Sequence, residues 1–75
     1  MRGNYSLLQQ NFGKHLRFLR EERSLSLREL SSRCELDSSK ISKIENGKTN
    51  LQLSTIFELA KGLEIDAKEL LDFEM

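Results

Sequence analysis

The chain has 75 residues, in which 12 Lys and Arg balance 12 Asp and Glu, with one histidine and one cysteine. That length holds one domain with a modest core, burying only about 60% of the unfolded surface. A lone cysteine, Cys34, excludes an internal disulfide, and without a second cysteine or histidine there is no metal-ligand cluster of the usual spacing.

No apolar run approaches the ~20 residues of a membrane span, and the start Met1 to Asn4 lacks the apolar stretch of a signal peptide, so a cytoplasmic protein with no membrane attachment is expected. A net charge of zero argues against coating nucleic acid by bulk charge. The distribution is uneven: ten Lys/Arg stand against six Asp/Glu through residue 50, and two against six thereafter. Such a dipole suits a domain with one face toward phosphates and an acidic opposite side.

With no proline, no low-complexity stretch and no alternating β-branched run, an all-α fold is expected. Phe12, Leu16 and Leu19, with Leu8 a turn earlier, predict a first helix from about Ser6 to Glu22. Ser26 precedes Glu29 by the capping-box spacing, and Leu27, Leu30 and Cys34 supply an apolar stripe, so a second helix runs from about Leu27 to Cys34. Asp37 reads as the N-cap of a third helix, Ser38 to Glu45, with Ile41 and Ile44 inward and Asn46-Gly47 as its stop. Leu53, Ile56, Leu59, Ala60 and Leu63 predict a fourth helix over 53–63. Asp66 then caps a fifth, from Ala67 to about Phe73, carried by Leu70 and Leu71.

Two short helices joined by the turn Glu35-Leu36-Asp37 form a helix-turn-helix, whose second helix is narrow enough for a major groove about 12 Å wide. If Ile41 and Ile44 face inward, Ser38, Ser39, Ser42 and Lys43 project outward as small or donor-bearing groups, at a helix N-terminus whose dipole favours phosphate. A merely solvated face more often carries Glu and Lys pairs.

At these residues the chain resembles the Xre/Cro/phage-repressor family. The resemblance runs from about Phe12 to Leu71. It rests on Phe12-Gly13, Leu16, Leu19-Arg20, Leu25-Ser26, Glu29-Leu30, Leu36, Thr55-Ile56, Leu59-Ala60 and Leu70-Leu71, and above all on Ile41-Ser42-Lys43-Ile44-Glu45-Asn46-Gly47-Lys48. It implies a compact five-helix bundle of the lambda-repressor-like type, a single domain over residues 1–75 with a family-like core over 12–71 and an N-terminal extension over 1–10. By that resemblance Ser38, Ser39 and Lys43, with Ser42 nearby, read base edges, while Asn46, Lys48 and Asn50 lie in the phosphate-contacting loop. It also pairs Arg20 with Glu45, locking the DNA-binding surface against the first helix.

Three departures stand out. Leu27 replaces the glutamine that many members use to hold a phosphate, leaving the backbone N–H groups at Leu27 and Arg28 for that contact. Glu35 and Glu64 replace two frequent glycines; at each, either the turn differs or a residue at positive φ stores roughly 1–2 kcal/mol of strain. Serine is also too short for bidentate base contacts, so discrimination leans on Lys43, water and DNA shape.

His15 reads as a surface or capping residue and Cys34 as a small core residue. Leu7, Leu8, Phe18, Phe57, Phe73 and Met75 exceed what one small core needs and suit either end packing or a dimer interface. The expected function is sequence-specific binding of double-stranded DNA by a homodimeric transcriptional regulator on an inverted repeat, without cofactor or metal. The competing reading is a protein-interaction module, such as an antitoxin or adaptor, with DNA contact secondary. An enzyme is not expected, because one His, one Cys and no glycine-rich loop offer no nucleophile–base pair or phosphate cradle.

Overall fold

The computed structural model describes residues 5–74, and among these there are five helices and no strand. They are α1 (Ser6–Glu22), α2 (Leu27–Ser31), α3 (Ser38–Glu45), α4 (Leu53–Leu63) and α5 (Ala67–Leu70). The core gathers Phe12, Leu16 and Leu19 from α1, Leu25 from the first loop, Leu30 from α2, Ile41 and Ile44 from α3, Leu59, Ala60 and Leu63 from α4, and Leu70 from α5. Leu16, Leu30, Ile41, Leu59 and Leu70 are completely buried, each worth about 1.5–3 kcal/mol relative to exposure. α3 packs on α1 and α2, and α4 packs on α2 and α5.

Local chemistry sets the helix starts. The Ser26 hydroxyl accepts from the Glu29 N–H at 3.0 Å, and the Glu29 carboxylate accepts from the Ser26 N–H at 2.8 Å, closing the capping box. The Ser26 backbone N–H, and after it the hydroxyl, hold Glu29 below the ordinary carboxylate range. That contribution is therefore complete at neutral pH and disappears as pH falls through the lowered value. Asp37 accepts from the Lys40 N–H at 2.7 Å and starts α3. At α5 the Glu69 carboxylate reaches back to the Asp66 N–H at 3.3 Å.

Three helix ends share one geometry. After α3, Lys48 N–H donates to the Lys43 carbonyl and Gly47 N–H to that of Ile44, with Gly47 at φ +69°. The same paired bonds end α1 through Leu25 and Ser24 and end α4 through Ile65 and Glu64. This is the Schellman arrangement, which wants glycine at the left-handed residue. Only the end of α3 has it; Ser24 sits at φ 56° and Glu64 at φ 60°.

Two helices are shorter than expected. α2 stops at Ser31 instead of Cys34. There the Ser31 hydroxyl donates to the Leu36 carbonyl at 2.7 Å and the Ser32 hydroxyl to the Glu29 carbonyl at 2.7 Å, two serine side chains competing with continued helix. The connection to α3 is thus longer than Glu35-Leu36-Asp37. α5 ends at Leu70, although Phe73 still packs on the core, its ring 5.9 Å edge-on from that of Phe12. Leu53 and Leu71, placed on apolar stripes by spacing, are exposed at 70% and 54%. Leu7, Phe18 and Phe57 are exposed, Leu8 and Phe73 half-buried, and Met75 lies outside the described residues. His15 caps α5, its Nε2 2.8 Å from the Glu69 carbonyl oxygen, and Cys34 Sγ donates to the Leu30 carbonyl at 3.4 Å.

Glu35 takes no left-handed conformation, whereas Glu64 does. Replacing Glu64 or Ser24 by glycine relieves the Cβ penalty but frees the unfolded chain, a net gain of about 0.5–1 kcal/mol each. Thermal unfolding followed by circular dichroism should show both variants melting above the parent.

Candidate nucleic-acid interface

α3 has two chemically distinct sides. Ile41 and Ile44, 0% and 1% exposed, fasten it to the core. On the other side Ser39, Lys40 and Lys43 are exposed, with Ser38 and Ser42 half-buried. Ser39, Lys40 and Lys43 line a shallow concavity of about 300 Å³ together with Asp37 and Thr49. Its two lysines outnumber its one acid, Asp37, whose carboxylate faces the Lys40 backbone N–H as the N-cap of α3, so the concavity carries net positive charge.

The structure thus brings Ser39 and Lys43 together and adds Lys40 and Thr49, which the sequence reading did not select. Lys40 was accessible to it: positions 40 and 43 are three apart and share a helix face. Lys48 and Asn50 are exposed on the loop that leaves α3 through Gly47. Asn46 is exposed too, but its Nδ2 donates to the Ser42 carbonyl at 2.8 Å, finishing α3. Arg28 is exposed at the start of α2, whereas Leu27 is half-buried and packs against the core. An apolar side chain at 27 therefore serves packing and leaves the backbone as the polar group at that end.

Behind this surface lies the Arg20–Glu45 pair. Arg20 Nε donates to Glu45 Oε2 at 2.6 Å and Nη2 to Oε1 at 3.0 Å, while Nη1 donates to the Leu25 carbonyl at 2.7 Å. The two side chains are only 10% and 6% exposed. The hydrogen bond to Glu45 raises the Arg20 pKa, against the opposing effect of burial. One guanidinium therefore ties together α1, the last residue of α3 and the α1–α2 loop, using the planar fork that lysine lacks. Close contact reinforces it: a Cβ added to Gly13 would lie 2.5 Å from the carbonyl oxygens of both Ile44 and Glu45.

A short helix anchored by two isoleucines, oriented by a buried fork and showing serines and lysines outward, defines a helix-turn-helix DNA-binding domain, the class of DNA-binding transcription regulators. The chain belongs to the helix-turn-helix domain family, whose model matches residues 13–74. The Control protein C.BamHI of Bacillus amyloliquefaciens is 38% identical over 74 residues, covering 97% of this chain and 88% of that protein. The HTH-type transcriptional repressor RghR of Bacillus subtilis is 40% identical over 63 residues; the match covers 83% of this chain but 47% of RghR, so the chain spans about half the length of that relative. Among solved structures, the restriction-modification controller protein C.AhdI from Aeromonas hydrophila superposes with a TM-score of 0.86 at 34% identity, covering 91% of this chain and 99% of that one.

Removing one member of the buried fork leaves the other charge without its partner. Arg20→Ala should cost about 3–5 kcal/mol in urea unfolding, and Arg20→Lys should recover only part, because it restores charge without the fork.

Proposed function

We propose that the chain is a non-enzymatic, cytoplasmic regulator of transcription that binds an inverted-repeat operator as a homodimer and forms a single domain over residues 1–75. The observation that carries this reading is the outward face of α3, where Ser39, Lys40 and Lys43 stand exposed opposite two buried isoleucines. Lys43 donates to guanine O6 or N7, and Ser38, Ser39 and Ser42 make single or water-mediated contacts at base edges. Phosphates on either side are held by the backbone at Leu27 and Arg28, by the Arg28 side chain, and by Asn46, Lys48 and Asn50. Arg20 and Glu45 hold the angle of α3 without touching DNA.

Charge supports this orientation. The sequence from residue 51 onward has two lysines and six acids, and it builds α4 and α5 rather than α3. Acidic α4 and α5 disfavour a phosphate backbone more than α3 does. An apolar surface supports the dimer: Leu53 and Phe57 project one turn apart from α4, and Leu71 stands exposed at the rim of a groove lined by Leu51, Ile56 and Phe73. A two-fold dimer through that surface reads half-sites about one helical turn, ~34–36 Å, apart.

Selection from a random duplex pool at two salt concentrations should enrich a palindrome, with affinity falling steeply as salt rises. Lys43→Ala should relax base preference, and Lys48→Ala should weaken binding to all duplexes alike and lower the salt slope by about one. No enrichment, and no binding at low salt, would remove the regulator reading. Sedimentation should show a dimer that Phe57→Glu converts to monomer; an unchanged mass would remove the α4 interface.

A further inference from the structure

The connection between α2 and α3 carries a bond from outside the motif. The Glu35 backbone N–H donates to Glu58 Oε1 of α4 at 2.9 Å, across 23 residues. Around it the turn is closed locally: Arg33 N–H goes to the Leu30 carbonyl, Cys34 N–H to that of Ser31, and the Ser31 hydroxyl to that of Leu36. At Glu35 the backbone of this connection is tied to a different helix, beside the exposed ion pair of Arg33 with Glu64 at the end of α4, 3.6 Å. Glu35 does not use the left-handed conformation. Turned by another route, the backbone presents its N–H to α4, and α4 supplies a carboxylate.

We propose that Glu58 is a positioning residue for DNA reading: its carboxylate fixes the α2–α3 turn and so sets how α3 meets the duplex, an inference that rests on the function proposed above. A charged acceptor on a backbone N–H is among the stronger hydrogen bonds available at a partly exposed site. The Glu58 side chain is 29% exposed, and the Glu35 N–H is the first cause holding its carboxyl below the ordinary range, with Lys61 a lesser one. Two residues beyond Glu35, Asp37 caps α3, so displacement of the turn passes directly to Ser38 and Ser39. α3 itself packs chiefly on α1 and α2, so this turn is a direct polar tie through which α4 acts on the reading helix. Short serines tolerate little displacement, because they cannot reach further to recover a base contact.

The same carboxylate also meets Lys61 Nζ at 3.4 Å, an i,i+3 pair with an exposed lysine, and that pair is the competing role. Three variants of the full chain separate them: Glu58→Ala, Glu58→Gln, which keeps a carbonyl acceptor, and Lys61→Ala. Amide exchange and the proton shift of the Glu35 N–H are followed by NMR, and affinity is measured for the selected palindrome and for random duplex. Glu58→Ala should speed Glu35 exchange about tenfold relative to the Lys40 amide and weaken palindrome binding about tenfold, with less than about twofold change on random duplex. Glu58→Gln should restore most of both effects, and Lys61→Ala should change neither. On acidification the Glu35 proton shift of the parent should move with the Glu58 carboxyl, and that of Glu58→Gln should not.

Unchanged Glu35 exchange in Glu58→Ala, or equal losses on palindrome and random duplex, would overturn the proposal, as would Lys61→Ala reproducing the loss. A parent chain that selects no duplex removes the DNA-reading function and this role with it, while the exchange data still report separately whether the bond to Glu58 holds the turn.

Discussion

Everything that the outward face of α3 can do depends on how one guanidinium is held. Arg20 donates to both oxygens of Glu45 and to the Leu25 carbonyl, with almost no solvent around the pair. Taking two charges out of water is unfavourable, and geometry of this quality chiefly offsets that cost. Its yield is orientation. The two apolar anchors of α3 fix which side of the helix faces inward, and Glu45, its final residue, fastens its end to α1.

The division of labour along α3 follows from this. Ile41 and Ile44 supply burial, Asp37 and Gly47 define the two ends, and Glu45 defines the direction, so Ser39, Lys40 and Lys43 are released from structural duty. The acid-rich sequence after residue 50 builds α4 and α5 rather than α3, so charge agrees with the proposal that α3 meets a polyanion.

Much of this was legible in the sequence. α1, α3 and α4 have the expected ends, α1 and α4 because long apolar repeats define them and α3 because the Asp37 cap and Gly47 bound a helix with only two apolar residues. α2 and α5 were read too long for a shared reason: Cys34 and Phe73 do pack against the core, but from turns, and periodicity records burial without recording backbone hydrogen bonds. The left-handed serine at 24 carries no compositional signal, whereas the glutamate at 64 was exposed as a departure from a glycine pattern. Lys40 was visible by spacing and passed over. The tie between Glu35 and Glu58 was not visible at all, since it joins a backbone group to a side chain 23 residues away. Exposure of Leu53 and Leu71 was likewise hidden, because an apolar residue on a regular stripe reads as core whether or not a second element covers it.

The contact at Gly13 bears on how such a domain can change its target over evolutionary time. With α1 resting directly on the terminal carbonyls of α3, no side chain separates the two backbones, and there is no compressible layer through which a substitution could swivel one against the other. Under the proposed function, a lineage carrying this contact changes what it reads most directly by exchanging residues on the exposed face, such as Ser39, Lys40 and Lys43. Posture is then altered from farther off, at ties such as that between Glu35 and Glu58, while the contact at Gly13 holds the two backbones together.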